Sequence, residues 1–311
     1  MLRFAIIGTG YRSEFYARAA KLSKDLVVAG WMCRNEGKKI KLNEKYGIYT
    51  FIDPNELYTM NLDFVVVCVD KAHMNEVSIE YAKKGFNVLM ETPCGTNREE
   101  INQFEEAIKA YHIQEAEQYT HTPYIKALIR AVDSNIIGDI TTLSLSYAHM
   151  YHAISIARSL LKTNSEIKNI YGSSYNTLVT RTLDRYHTFT DGELINTSQD
   201  NLVIEYADNK VLFYNFTSES YRSPIRNRYI NIRGTRGEII NDTIYYLDQN
   251  NIPQTKKIRY NHTNQSDEYA IKEMLLKMKD YINKSIEVYP NKYAILDAKC
   301  ALIMEETLRR K

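Results

Sequence analysis

The sequence contains no long hydrophobic run. Its longest apolar stretches have the length of a single strand, which excludes a membrane-spanning helix. The first residues, Met1–Ile7, resemble a short signal peptide, but they run straight into a glycine turn without a small-residue cleavage site. We interpret them as a strand, and we expect no membrane partner.

Cysteine is scarce, and charge of neither sign is in excess. The four cysteines (Cys33, Cys68, Cys94 and Cys300) show no C-x-x-C spacing, which favours reduced thiols over a metal site or a disulfide framework. Forty basic and 38 acidic residues give a net charge of +2, and no local run of Lys and Arg changes this balance. We therefore expect a cytoplasmic protein that binds no nucleic acid.

The 311 residues, 44% of them hydrophobic, are enough for two domains with real cores. Residues 3–118 alternate apolar runs with helical stretches. Continuously apolar runs such as Phe64–Val69 are typical of a parallel sheet that is buried on both faces. The pattern predicts an α/β fold whose first domain, residues 1–119, is a doubly wound Rossmann domain.

The pattern changes after Tyr119. Asn201–Asp208 and Val211–Ser218 flank turn residues and predict an antiparallel hairpin, and further short strands and two closing helices follow. The stretches 172–200 and 218–228 carry no readable pattern and are assigned to loops. Residues 120–311 are thus predicted to form a second domain of α+β type, which would hold the substrate and the oligomer contacts.

A glycine-rich turn follows the first strand and precedes a helix. In Gly8-Thr9-Gly10-Tyr11-Arg12-Ser13, Gly8 permits the tight turn and Gly10 lets the backbone approach a pyrophosphate, while Ser13 is small enough for the helix–strand contact. The context predicts a dinucleotide site that includes Tyr11 and Arg12. A glycine turn that binds nothing is the alternative.

The end of the second strand bears on the choice between NAD and NADP. Cys33 stands where a carboxylate would bind the ribose 2′-hydroxyl, and Arg34 could accommodate a 2′-phosphate. We expect NADP or NAD, with a preference for NADP, although Arg34 could also be a solvated residue after a strand.

Four further segments resemble the Gfo/Idh/MocA oxidoreductases. They are Val69–His73, Gly85–Pro93, Ile137–Ile140 and Ile232–Ile239, in the order and register of that family. The resemblance implies a Rossmann domain followed by an open, mostly antiparallel sheet. It also implies that Val69, His73, Glu91 and Pro93 line a nicotinamide cofactor. Members are mainly NAD(P)-dependent dehydrogenases or reductases of sugars and cyclitols.

The chain departs from this family at two catalytic positions. Thr92 replaces the lysine of the Glu-Lys-Pro signature, and Ala148 replaces the acid four residues before the family histidine, which matches His152. The chain therefore resembles an atypical member with Glu-Thr-Pro.

Histidine and tyrosine cluster after the first strand of the second domain. Of seven histidines, His149 and His152 lie three residues apart, with Tyr151 between them, and they would share a helix face if the helix has already begun. Because the pKa of imidazole lies near neutrality, His152 suits a proton acceptor, with His149 beside it. The alternative is that one caps the helix and the other packs as a neutral side chain.

Other candidates lie in connecting segments. Tyr119 and His121 follow the sixth strand, at an edge that faces the nicotinamide in the family. Arg222 and Arg226 lie in a loop that could supply the missing cation, although exposed loop arginines are more often solvated. We assign catalytic roles to His152, His149, Thr92 and Tyr119, substrate contacts to Tyr151, His121, Arg222 and Arg226, and no metal site.

Three functions fit these residues. The first is an NAD(P)-dependent oxidoreductase for a sugar-like or cyclitol-like hydroxyl or carbonyl compound. The second is a dinucleotide- or sugar-binding sensor that has lost turnover, and the third is redox-neutral glycoside cleavage. An open sheet with apolar residues on both faces also predicts a homodimer or homotetramer through the second domain.

Overall fold

The strands and helices follow the predicted alternation closely. The structure, a computed structural model, describes residues 1–184, 187–221 and 223–309. The strands are β1 (Leu2–Ile7), β2 (Leu26–Met32), β3 (Thr50–Phe51), β4 (Phe64–Val67), β5 (Val88–Met90), β6 (Ile113–Glu115), β7 (Ile140–Ser146), β8 (Ile167–Thr180), β9 (Leu194–Tyr206), β10 (Val211–Thr217), β11 (Tyr229–Gly234), β12 (Gly237–Ile240), β13 (Thr243–Leu247) and β14 (Pro253–Lys257). The helices are α1 (Ser13–Ala20), α2 (Glu36–Tyr46), α3 (Met74–Lys83), α4 (Arg98–Ala107), α5 (Pro123–Asp133), α6 (Met150–Leu161), α7 (Ser266–Lys284) and α8 (Asn291–Arg309).

The chain divides into two compact units. The first consists of Met1–Pro123 and His262–Lys299, and the second of Tyr124–Asn261 and Cys300–Lys311. The sequence predicts a second domain of residues 120–311, whereas His262–Lys299 groups here with the first unit. None of the helices in the described ranges is long and apolar enough to cross a membrane.

The first unit is built on a six-stranded parallel sheet. The strand order is β3-β2-β1-β4-β5-β6, with every pair parallel, which confirms the predicted doubly wound Rossmann domain. All four residues of β4 are buried, as its continuous apolar run predicts. In this topology the carboxyl ends of β1, β4 and β5 meet at one edge, where ligands bind in such sheets.

Helix α7 belongs to the first unit because of its apolar face. Ile271, Met274 and Leu275 are fully buried in the same hydrophobic core as Phe4 of β1 and Trp31 of β2. Their spacing places them on one side of the helix. Sequence position alone does not reveal this packing, since the helix lies far from the Rossmann strands along the chain.

The second unit is built on an eight-stranded sheet. Its order is β14-β13-β12-β11-β7-β10-β9-β8, and all neighbouring strands are antiparallel except β7 and β10. The predicted hairpin is present as β9 and β10, with the turn residue Asn209 at φ 63°. This sheet confirms the α+β fold with a mostly antiparallel sheet that the sequence predicts for the second domain.

The stretch from 172 to 200 is not the loop that the sequence suggested. Most of it lies in β8 and β9, which pair over Ile167–Thr180 with one irregularity near the start of β8. β8 is rich in Ser, Asn and Thr and is mostly exposed, so it lacks the alternation of buried apolar residues that reveals a half-buried strand.

Candidate functional site

The glycine turn has the geometry that a dinucleotide requires. Gly8 has φ 117°, and a Cβ there would lie 2.2 Å from the carbonyl oxygen of Cys68, so only glycine fits. A Cβ on Gly10, by contrast, would meet no protein atom within 4 Å. Ser13 is fully buried and donates its hydroxyl to the carbonyl of Gly10 at 2.6 Å. The turn therefore leaves open space beside Gly10 at the start of α1, where a phosphate can approach the backbone.

The side chain of Trp31 is hydrogen-bonded to the backbone of this turn. The indole Nε1 of Trp31 donates to the carbonyl oxygen of Gly8 at 2.7 Å, and the ring is fully buried. Sequence analysis missed this role. The available signal was that the only tryptophan of the sequence stands near the end of the second strand.

Arg12 and Glu91, both predicted to bind cofactor, bind each other. The Arg12 Nη2 atom lies 3.0 Å from Glu91 Oε1, which also accepts the Tyr16 hydroxyl at 2.8 Å. Arg12 also donates to Gln118, and Asp267 lies 3.9 Å from its guanidinium. Burial alone would lower the pKa of Arg12, but the nearby carboxylate of Glu91 raises it, so this cation is permanent and already neutralised.

Thr92 lies next to this ion pair. It is buried, follows Glu91 at the end of β5, and its backbone N–H donates to Glu91 Oε2 at 3.3 Å. The Thr92–Pro93 peptide bond is cis. Position 92 thus offers a hydroxyl and no charge, and the positive charge of Arg12 close by is balanced by Glu91.

Tyr119 and His121 lie in one 3₁₀ turn after β6, Tyr119–His121. The backbone N–H of Tyr119 donates to Glu117 at 2.8 Å. His121 is buried, with its Nδ1 atom 3.7 Å from Glu273, and its Nε2 atom has no hydrogen-bond partner among the described residues. Their predicted roles stay predictions.

The end of β2 offers no carboxylate to a ribose. Cys33 is buried, which raises the pKa of its thiol. Arg34 is exposed, and the side chain of Asn35 caps α2 by accepting from the Lys38 N–H at 2.9 Å. This arrangement suits the NADP preference without testing it.

The segment after β4 contains a hydrogen-bonded pair at the same edge. Val69 is half-buried, whereas Asp70 and His73 are exposed, and His73 Nδ1 lies 2.9 Å from Asp70 Oδ1. This hydrogen bond raises the pKa of His73 and lowers that of Asp70. Tyr11, also exposed, contacts Phe15 edge to face.

In the second unit, the histidines lie at the start of α6. His149 precedes the first residue of the helix and has extended backbone. The helix has therefore not yet begun at His149, and the shared helix face that the sequence suggests for His149 and His152 does not form. The chain still turns tightly, since the N–H of His152 donates to the carbonyl of His149 at 3.0 Å. Tyr151 is buried, and its ring contacts that of His152.

Two tyrosine hydroxyls cap this helix. The N–H of His149 donates to the hydroxyl of Tyr221 at 2.6 Å, and the N–H of Met150 to that of Tyr214 at 3.3 Å. Met150 has φ 34°, an uncommon value for a non-glycine residue. The tyrosines therefore hold an irregular helix start, and neither was singled out from sequence because both lie in distant segments.

The arginine loop is partly described. Arg226 is exposed, and Arg222 lies outside the described residues. Arg228 places its guanidinium 4.6 Å from the centre of the Tyr147 ring, two residues before His149.

Asp184 and His187 form an exposed local pair at 3.3 Å, and no group of three or more metal-ligating side chains occurs in the described ranges.

Comparisons with known proteins agree with this geometry. Residues 2–131 match the model of the Gfo/Idh/MocA oxidoreductase family, described as an NAD-binding Rossmann fold. A search of curated proteins found no match.

Solved structures resemble the chain over nearly its whole length. An oxidoreductase from Agrobacterium radiobacter, in complex with NAD+, L-tartaric acid and magnesium, has a TM-score of 0.78 at 13% identity over 99% of this chain and 96% of that one. A myo-inositol dehydrogenase from Corynebacterium glutamicum has a TM-score of 0.70 at 15% identity, covering 99% and 97%. Biliverdin reductase from Synechocystis, with biliverdin and NADP+, has a TM-score of 0.71 at 12% identity, covering 99% of each.

At these identities the solved structures establish the fold alone. For the first unit, the family match and the parallel sheet with its glycine turn agree on an NAD-binding Rossmann domain. Residues 2–131 therefore match the NAD-binding Rossmann domain of the Gfo/Idh/MocA oxidoreductase family, and the whole chain shares the fold of these solved structures.

Proposed function

We propose that the protein is an NAD(P)-dependent dehydrogenase or reductase. It would move a hydride between the dinucleotide and a hydroxyl or carbonyl carbon of a sugar-like or cyclitol-like compound. The observation that carries the proposal is the open space beside Gly10, in a domain that matches an NAD-binding family. The myo-inositol dehydrogenase among the similar structures supports the cyclitol-like class.

The residues present fit a dinucleotide. Gly8 and Gly10 leave the backbone at the start of α1 accessible to a pyrophosphate. Tyr11 and His73 are exposed at the same edge of the sheet, and the hydrogen bond to Asp70 favours the charged form of His73. Arg34 is free to approach a 2′-phosphate, which supports our preference for NADP.

The proton is assigned to His152. The bound dinucleotide supplies or accepts the hydride. During oxidation His152 takes the proton of the substrate hydroxyl, and during reduction it returns a proton to the carbonyl oxygen. Neither Thr92 nor Ala148 carries charge, so neither can share this task. Thr92, Tyr119 and His149 are assigned to orient the oxygen, and Tyr151, His121, Arg226 and Arg222 to contact the rest of the substrate.

The main competing function is a sensor that binds the dinucleotide without turnover. The uncharged residues at positions 92 and 148 favour it, because they remove the two charges that the family uses in catalysis. Redox-neutral cleavage would use the same residues as the oxidoreductase. Binding and turnover must therefore be measured separately.

The first experiment tests the cofactor. Wild-type protein is titrated calorimetrically with NAD+, NADP+, NADH and NADPH, and Gly10→Val is compared with it. Since a Cβ at Gly10 touches no protein atom, the variant should keep its thermal unfolding temperature but lose at least about tenfold in affinity. Gly8→Ala is the contrasting variant, expected to lower stability through its clash with Cys68. Unchanged dinucleotide binding by Gly10→Val would show that the turn is not the site.

The second experiment tests turnover. Reduced nicotinamide is followed by absorbance with a panel of polyols, for wild type and His152→Ala. General acid–base catalysis contributes about 10²–10⁴-fold, so the variant should lose much of that while dinucleotide affinity stays the same. Arg34→Ala should lower the affinity for NADP more than the affinity for NAD. Tight dinucleotide binding without turnover of any polyol would favour the sensor.

A homo-oligomer is part of the proposal. One face of the sheet in the second unit buries alternate residues, among them Leu202, Ile204 and Leu212. On its other face Tyr171 and Phe213 are 56% and 45% exposed and flank Val203 on adjacent strands. Exposed apolar groups on neighbouring strands are typical of an interface, and we assign this face to a second copy of the chain.

A further inference from the structure

A cavity whose lining includes neither the glycine turn nor the histidines lies within the second unit. It has a volume of about 560 Å³ and lies between α5 and the β13–β14 edge of the sheet. One wall is a single face of α5, where Ala127, Arg130 and Ala131 follow helical spacing, together with Ser134 just after the helix end. The other wall is Ile244 of β13 with the stretch Lys256–Arg259, and Ile136 completes the lining.

The inner part of this cavity is apolar. Ala127 and Ile244 are buried, and Ala131, Ile136 and Ile258 are half-buried. A hydrocarbon chain or a ring in this space would be removed from water, which favours binding in proportion to the apolar surface that is buried. The volume lies within the range of small-molecule pockets, about 300–1,000 Å³.

The rim of the cavity is positively charged. Arg130, Lys256, Lys257 and Arg259 line it, and no carboxylate does so in the part of the chain that the structure describes. Lys257 is bonded to Asp242 at 2.7 Å. Within the described ranges the other three cations have no carboxylate within ion-pair distance. The rim thus carries an excess of positive charge that an anion would balance.

Lys256 lies on the side of the sheet that faces this cavity. In the pairing of β13 with β14 it stands opposite Ile244, whose side chain is buried. An inward lysine on an edge strand also discourages strand addition. That role does not account for Arg130 on the facing helix or for Arg259 beyond the strand end.

We propose that this cavity binds a small amphiphilic anion, with a carboxylate or phosphate head on the rim and an apolar body inside. Arg130 and Arg259 supply the planar donors that match such a head, and Lys256 adds a third positive charge. Ala127, Ile136, Ile244 and Ile258 contact the body. The site is separate from the proposed catalytic residues and does not depend on their assignment.

Octanoate is the probe, with octanol and inorganic phosphate as half-ligands. Octanol lacks the charge and phosphate lacks the hydrocarbon, so each should bind at least about tenfold more weakly than octanoate to the full-length protein. Arg130→Gln and Arg259→Gln should each lower octanoate affinity about tenfold, measured by calorimetry and by ligand-observed NMR. Both side chains are exposed, so thermal unfolding should stay unchanged.

Arg233→Gln is the matched control, since Arg233 is exposed on the same sheet but paired with Glu238. It should leave octanoate binding unchanged. The proposal is overturned if octanoate does not bind, if octanol or phosphate binds equally well, or if neither arginine variant weakens binding. Dinucleotide affinity measured on the same samples reports on the proposed function independently.

Discussion

Trp31 occupies a position from which it can report on the cofactor. Its indole is buried beneath the turn, and its N–H is bonded to Gly8. The indole is bonded to the turn, so dinucleotide binding should change its emission. Because the sequence has only this tryptophan, the whole of that change can be assigned to Trp31. Trp31→Phe should lower dinucleotide affinity by about 2–10-fold, the usual contribution of one hydrogen bond.

Loss of packing must be separated from loss of the donor. Phe51→Leu removes buried volume on the neighbouring strand β3 but leaves the bond to Gly8. It should lower the unfolding temperature without the fall in affinity. Emission that does not respond to a dinucleotide known to bind by calorimetry would contradict this role for Trp31.

Thr92 allows a test of whether the surrounding residues can accept a lysine at this position. A lysine there would be buried next to Glu91, whose carboxylate already pairs with Arg12 and Tyr16. The added ammonium would lack a carboxylate of its own, so we expect Thr92→Lys to lose about 1–3 kcal/mol in free energy of unfolding and to lower activity.

Thermal unfolding and turnover measure these two effects. Thr255→Lys, on the exposed edge strand β14, is the control that adds the same charge in water and should be neutral. Raised activity in Thr92→Lys would mean that the surrounding site is still built for a lysine.

Some elements could be predicted closely from sequence, and the reasons are local. Helix α2 has bounds set by local signals, because Asn35 caps its start and Gly47, at φ 66°, ends it. β8 could not be predicted, since its pairing with β9 rather than its own composition makes it a strand. The same holds in the site: the glycine turn is readable in six consecutive residues, whereas the Arg12–Glu91 pair joins positions 79 residues apart.

The start of α6 depends on contacts from other elements. His149 makes no side-chain capping bond, and the Tyr221 hydroxyl accepts its N–H instead. Tyr221→Phe removes this acceptor and should speed amide exchange at the start of α6, at a cost of about 0.5–1.5 kcal/mol. Hydrogen–deuterium exchange of the peptide covering 147–161 measures the change.

A phenylalanine at another tyrosine position provides the comparison. Tyr245 is exposed on β13 and no hydrogen bond of its hydroxyl is found in the described structure, so Tyr245→Phe should leave exchange in α6 unaltered. If Tyr221→Phe also turned over polyols like wild type, the irregular helix start would be unimportant for catalysis, and the role of His149 would have to be reconsidered.

At the scale of the whole molecule, we propose that the exposed sheet face forms the contact between copies of the chain. Phe213 lies in the middle of this face, opposite Val203 on β9 and Ser144 on β7. In a monomer Phe213→Glu would be tolerated, because the ring is already exposed. In an oligomer built on this face it would bury a charge without a partner. We therefore expect wild-type protein to be a dimer or tetramer at micromolar concentration, and Phe213→Glu to shift it to monomer.

Light scattering and sedimentation equilibrium measure this shift. Ile286→Glu is the matched control, because Ile286 is similarly exposed but lies between α7 and α8 in the first unit. It should leave the mass unchanged. A monomeric wild-type protein would remove the argument for a partner on this face, and an oligomer that survives Phe213→Glu would place the interface elsewhere. Since the two units are distinct, dinucleotide affinity in Phe213→Glu should equal that of wild type, which separates loss of assembly from loss of fold.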